Sequence, residues 1–220
     1  MRAPWAVVCD FDGTALTEDL GDKVSQHFAG YQAWRAAEDE YRAGAVTFGT
    51  LLQRMFEPIT ASREEIADFA RRTAVLRPGF DRLLDACRSA GRPFLLCSAG
   101  LDVYIEPVLE RLPAPLRSHV EVRANRADCS PGGMAVSFHP TPAEEDGCSS
   151  CGFCKGAVVR ELRAAGHKVL VCGDGTADRC AADAADFVFA TGRLVAYCRS
   201  RGIAHLPFDT FHEVVDRFPA

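Results

Sequence analysis

Trp5-Ala6-Val7-Val8-Cys9-Asp10-Phe11-Asp12-Gly13-Thr14 is a continuous apolar run that stops at two carboxylates and a glycine. An unbroken run of this kind, closed by turn residues, reads as a short buried strand. Gly13 lets the backbone turn sharply at the strand's end. Carboxylates gathered there suit a hard cation such as Mg²⁺, which takes one or two of them and keeps several waters. They also divide labour well, one as nucleophile and the other as acid and base. Taken alone, the same residues equally describe a solvated Asp-Gly turn.

Val169-Leu170-Val171-Cys172-Gly173-Asp174-Gly175-Thr176-Ala177-Asp178 repeats the pattern, again an apolar run ending in Gly and Asp. Asp174 and Asp178 are candidate ligands of a metal site shared with the first strand end. Asp178 equally suits the N-cap of a helix running through Ala181, Ala182, Ala184 and Ala185. Between the two acidic strand ends, Pro93-Phe94-Leu95-Leu96-Cys97 leads into Ser98-Ala99-Gly100, ahead of a helix from Asp102. A hydroxyl and free amides at a strand-to-helix junction form a natural phosphate seat. Lys155 opens a helix from Gly156 to Ala165; it offers an anion a fixed positive charge, or is an ordinary surface lysine.

In order, Asp10 to Thr14, Cys97 to Gly100, Lys155 ahead of its helix, and Gly173 to Asp178 resemble the haloacid dehalogenase superfamily of aspartate-nucleophile phosphatases. Within it the chain looks most like the phosphoserine-phosphatase-like branch. The cysteine-rich stretch before Lys155, and the tail from Phe189-Ala190 through Cys198 to His205-Leu206-Pro207, are most similar to the 2-hydroxy-3-keto-5-methylthiopentenyl-1-phosphate phosphatase group of methionine salvage. The chain departs from the pattern at Ala177, where relatives often carry Asn or Thr. The resemblance implies a phosphoric monoester hydrolase acting on a small phosphorylated metabolite through an aspartyl-phosphate on Asp10. It implies Asp12 as acid and base, with Ser98, Ala99, Gly100 and Lys155 binding phosphate oxygens. It further implies Mg²⁺ held by Asp10, Asp174 and the Asp12 backbone carbonyl, with Asp178 orienting the metal shell or Lys155. Asp19 falls where this branch carries an acidic substrate contact; an acid starting a helix is also favoured by the macrodipole alone.

From about 20 to 75 the chain shows helical periodicity and no convincing strand, over Tyr31 to Arg42, Phe48 to Phe56 and Arg63 to Arg72. Ser62 and Glu65 form a capping box for the last of these. The pattern predicts a helical cap, 20–75, inserted into a catalytic core formed by 1–19 and 76–220. Such a cap is expected to close over the site and select the leaving group. Arg77-Pro78-Gly79 returns the chain to the core, where Phe80, Leu83, Leu84 and Cys87 give the next helix an apolar face. Alternating strands and helices predict an α/β, doubly wound, mainly parallel sheet, the Rossmann-like core of the resemblance. His119 to Asn125 and Met134 to His139, around Pro131-Gly132-Gly133, predict a β-hairpin beside the site. In such sheets ligands bind beyond the carboxyl ends of the strands, where Asp10, Ser98 and Asp174 all fall.

The bulk properties exclude some classes. A formal charge of −5 argues against a nucleic-acid partner. No apolar stretch approaches the ~20 residues needed to span a bilayer. Met1-Arg2-Ala3-Pro4 runs straight into the first strand without room for a signal peptide, so a cytoplasmic location is expected. Oligomeric state has no readable signature. Of the ten cysteines, Cys9, Cys97 and Cys172 end strands, and Cys87, Cys180 and Cys198 lie in helical patterns, all as small apolar residues. Cys148, Cys151 and Cys154 sit in a polar loop at spacing suited to a structural Zn²⁺, with Cys129 or His139 as fourth ligand, or form a cluster of reduced thiols. Phosphoryl transfer to an alcohol, phosphoserine hydrolysis, and a zinc-stabilised interaction module on a relic fold are the alternatives to metabolite hydrolysis. Retention of Asp10 and Asp174 speaks against a relic.

Overall fold

In the computed structural model, which describes residues 4–140 and 152–218, the apolar runs become strands. They are β1 (Trp5–Cys9), β2 (Phe94–Leu101), β3 (Val120–Ser130), β4 (Gly133–Ser137), β5 (Lys168–Gly173), β6 (Phe187–Ala190) and β7 (His205–Pro207). β1 is buried along its whole length, as a strand with neighbours on both edges and helices on both faces must be. The seven-stranded order is β4-β3-β2-β1-β5-β6-β7, parallel throughout except at β3–β4. The chain therefore changes sides at β1, and the carboxyl ends of β1, β2 and β5 open onto one crevice. This is the doubly wound, mainly parallel sheet expected from the sequence.

Four helices follow β1: α1 (Leu20–Phe28), α2 (Tyr31–Arg42), α3 (Phe48–Phe56) and α4 (Arg63–Thr73). Their starts are encoded locally. Asp19 accepts from the Asp22 N–H, Thr47 from the Thr50 N–H, and Ser62 and Glu65 complete the reciprocal box. The remaining helices are α5 (Phe80–Ser89), α6 (Asp102–Leu109), α7 (Ala114–Arg117), α8 (Lys155–Ala164), α9 (Arg179–Ala184), α10 (Leu194–Arg201) and α11 (Phe211–Asp216). α5 buries Phe80, Leu83, Leu84 and Cys87, and Phe80 packs on Phe94 of β2 and Phe211 of α11. No helix among the described residues is long and apolar enough to cross a membrane.

Two strands differ from the sequence expectation. β2 runs through Ser98-Ala99-Gly100 to Leu101, all buried, so these residues lie within an irregular strand end rather than beyond it. β3 changes partner part-way. Val120 to Arg123 pair in parallel with β2, whereas the hairpin with β4 uses Arg126 to Ser130, downstream of the expected His119 to Asn125. Alternation along a strand reports its faces, not its neighbours, so a change of partner leaves no trace in the pattern. The hairpin reaches the four-helix layer, where the Met134 N–H donates to the Glu57 carbonyl at 3.2 Å. Arg63 on α4 likewise donates to the Ala127 carbonyl at 2.7 Å and to Asp102 at 3.2 Å.

Cys9, Cys97, Cys172, Cys87 and Cys198 are buried, and Cys180 is half-buried on α9. Cys148 and Cys151 lie outside the described residues. Cys154 is buried at the start of α8 and Cys129 is half-buried on β3. Among the described residues, neither belongs to a group of three side chains able to share an ion, and nor does His139.

Candidate active site

Asp10 leaves β1 with its N–H on the Cys172 carbonyl at 3.0 Å, and Phe11–Ala15 then wind into a wide turn. Gly13 holds φ +73°, and a Cβ there would lie 2.7 Å from an Asp174 carboxylate oxygen, so both conformation and space require glycine. Arg77 secures this turn from the far side of the four helices. Its guanidinium donates to the carbonyls of Thr14 and Gly13, each at 2.7 Å, and of Asp209 at 3.1 Å.

Lys155 is buried at 3 % exposure, so the surface-lysine alternative fails. Its ammonium donates to Oδ1 of Asp10 and, at 2.5 Å, to Oδ1 of Asp178. Burial alone would lower the Lys155 pKa, but the facing Asp10 and Asp178 carboxylates hold it above its ordinary value. Asp178 stands at the head of α9, yet its side chain makes no cap bond to that helix. It turns back instead, and Oδ2 accepts from the N–H groups of Asp174 at 2.9 Å and Gly175 at 3.0 Å.

Carboxylate oxygens of Asp10, Asp174 and Asp178 lie within 4.8 Å of one another, the single such group among the described residues. Burial pushes the Asp10 carboxyl well above its usual range despite Lys155, and burial with the Asp178 charge raises Asp174. Of these three carboxylates, Asp10 and Asp178 pair directly with the Lys155 ammonium. The all-oxygen donor set and its charge fit a hard divalent cation. The Asp12 carboxylate is outside this group. Its Oδ1 accepts from the Leu20 N–H at 2.8 Å and its Oδ2 from the Tyr104 hydroxyl at 3.3 Å. Burial, then the charge of Asp10, lifts Asp12 to about 7, with the Leu20 and Gly21 amides and Tyr104 pulling the other way. A carboxyl titrating near neutrality suits acid and base work.

Ser98 is buried, and its Oγ accepts from the Gly100 N–H at 2.9 Å. That amide is therefore engaged rather than free for phosphate, a correction to the sequence expectation. The Ala99 carbonyl is held by Asn125 Nδ2 at 2.7 Å, and Asn125 Oδ1 accepts from the His139 N–H at 2.8 Å. Asp19 caps α1 and also lines the cavity. The cavity measures about 990 Å³, the scale of a small-molecule site. Asp10, Asp12, Ser98, Lys155 and Asp174 line one side, and α1, α2 and α3 supply the other. The contacts of Tyr104, Asn125 and Arg77 were not foreshadowed. An Asn in a strand and an Arg ahead of Pro-Gly are the faint signals that mark two of them.

A family model described as haloacid dehalogenase-like hydrolase matches residues 7–183. The chain belongs to this family. Among relatives of this hydrolase, the 2-hydroxy-3-keto-5-methylthiopentenyl-1-phosphate phosphatase of Geobacillus kaustophilus is 33% identical over 218 residues, covering 98% of this chain and 96% of that one. The enzyme of that name from Exiguobacterium sibiricum is 29% identical over 96% of this chain and 94% of its own. A phosphoserine phosphatase solved as a phospho-aspartyl intermediate analogue superposes with a TM-score of 0.72 at 15% identity, covering 100% of both chains. At that identity the likeness is one of fold, and it extends to this hydrolase from end to end.

Proposed function

We propose that this hydrolase is a Mg²⁺-dependent phosphatase that acts on a small-metabolite monoester in two steps, and that the methionine-salvage enol phosphate of its named relatives is the substrate. The observation that carries the mechanism is the pairing of two differently held carboxyls at one strand end. Asp10 is pinned by Lys155, while Asp12 is kept off the ion cluster and raised to about 7. Asp10 attacks phosphorus in line, and Asp12 gives its proton to the departing oxygen. Asp12 then takes a proton from the water that cleaves the aspartyl-phosphate, releasing phosphate and restoring both carboxyls. Lys155 and Ser98 bind phosphate oxygens, where charge must be neutralised during transfer. Mg²⁺ bound by Asp10, Asp174 and the Asp12 carbonyl would offset the repulsion between nucleophile and phosphate. Asp178 positions Lys155 through the ion pair and the two amides that fix it. Residues 20–75 act as the cap over a core of 1–19 and 76–220, excluding water during the first step.

Phosphate release with Mg²⁺ from a panel including the enol phosphate and phosphoserine tests this reading. Asp10→Asn is expected to abolish turnover, and Asp12→Asn to lower it ~10²–10⁴-fold. Near-normal turnover by Asp10→Asn would remove the covalent route. Hydrolysis of other esters but not the enol phosphate would remove the substrate.

A further inference from the structure

Thr191, Gly192 and Arg193 join β6 to α10 and lie against the loop that carries Asp174. The Thr191 N–H donates to the Gly173 carbonyl at 2.9 Å, and the Leu194 N–H to the Asp174 carbonyl at 2.8 Å. Between these bonds Gly192 holds φ +51°, and a Cβ there would lie 3.0 Å from the Asp174 carbonyl oxygen. The connection is thus fastened at both ends and pressed onto Asp174 in the middle. It carries Arg193 onto the lining of the cavity, near enough for its charge to favour the Asp174 carboxylate. Arg193 is exposed, so it stands at the cavity's mouth. All of this lies beyond residue 183, where the family match ends.

Among the described residues, eight carboxylates and four cations line the cavity. Three of the cations are engaged: Lys155 by Asp10 and Asp178, Arg77 by the Thr14 and Gly13 carbonyls, and Arg42 by Glu38. Arg193 alone of the four makes no hydrogen bond or ion pair among the described residues. A phosphate monoester enters as a dianion, through a mouth where acids outnumber cations. The guanidinium is a planar fork of donors that matches phosphate oxygens in pairs. Ala177, on the loop that follows Asp174, brings only a methyl to the same lining.

We propose that Arg193 binds the phosphoryl group of the incoming ester, a phosphate ligand supplied by the β6–α10 connection alongside Lys155 and Ser98. The inference rests on the phosphatase reading above and adds a substrate contact to it. Arg193 meets the phosphoryl group and not the leaving group, so its contribution is the same for every ester and persists with inorganic phosphate. Ground state and transition state share the contact, so its loss falls on KM more than on kcat.

The test compares the native chain with Arg193→Gln, Arg193→Lys and Arg199→Gln, all with Mg²⁺. Calorimetric titration with inorganic phosphate reads binding without turnover. Arg193→Gln should weaken phosphate about tenfold, the scale of one hydrogen bond to a charged group. KM for methyl phosphate and for p-nitrophenyl phosphate should rise by a similar factor. Arg193→Lys keeps the charge without the fork and should fall between. Arg199→Gln removes the same charge from an exposed position later on α10 and should behave as the native chain. Unchanged phosphate affinity in folded Arg193→Gln overturns the inference. An equal loss in Arg199→Gln overturns it too, because the effect would then be one of net charge. A rise in KM confined to one ester would assign Arg193 to the leaving group and sink the proposal. If no ester is hydrolysed while phosphate binding still depends on Arg193, the phosphatase reading falls and the phosphate contact stands.

Discussion

Tyr104 fills a space that two glycines leave for it. A Cβ on Gly100 would lie 2.1 Å from its hydroxyl oxygen and one on Gly21 2.8 Å away, while the hydroxyl itself reaches Asp12. Tyr104→Phe is expected to slow turnover roughly three- to tenfold, the scale of one net hydrogen bond of about 0.5–1.5 kcal/mol. Gly100→Ala should be far more damaging in the native background than in Tyr104→Phe, because the clash is mostly with the hydroxyl. Strictly additive losses in that double-mutant cycle would show that the two side chains do not meet. At this scale the sequence discloses the groups that bear charge at strand ends. Asp10, Asp12 and Asp174 stand out because few structural roles put such residues there. Tyr104 and Asn125 do not stand out, since each is a single buried residue whose partner is distant in sequence and met only through the fold.

Three helices of the inserted layer were legible nearly to the residue. α2 and α3 occupy the spans that periodicity marked, and α4 ends one residue beyond Arg72, because capping chemistry and an apolar stripe agree locally. Ser62→Ala removes the acceptor for the Glu65 N–H and should cost about 1 kcal/mol, read as a lower urea midpoint with an unchanged slope. The strands were less legible at their ends. β2 continues past Cys97 because Ser98 and Gly100 satisfy each other, and β3 continues past Asn125 because Arg63 and Asp102 meet Ala127. The supports of β3 come from other elements, so a local window contains no trace of them.

For the molecule as a whole, the crowded carboxylates at the crevice oppose folding until a cation joins them. Mg²⁺ should therefore raise the melting temperature, by the equivalent of about 2.7 kcal/mol at a hundredfold excess over its dissociation constant. Asp174→Asn should melt higher than the native chain in EDTA and gain little from Mg²⁺, since burial and Asp178 already disfavour the Asp174 charge. Native-like melting with a full Mg²⁺ response in that variant would exclude Asp174 as a ligand. Thermal scans with and without EDTA read both effects.

The central place of β1 also has a temporal side. Trp5–Cys9 pairs on one edge with Phe94–Leu101 and on the other with Lys168–Gly173. On a ribosome adding ~5–20 residues per second, the nucleophile's strand emerges early and waits for its second neighbour until the helical layer, the hairpin and α8 have been made. Lys155 arrives just before that last partner, and Asp174 and Asp178 just after it. A nascent chain halted ahead of Lys168 can thus build helices but no ion cluster, and hydrolytic competence switches on only when translation has delivered both halves of the sheet.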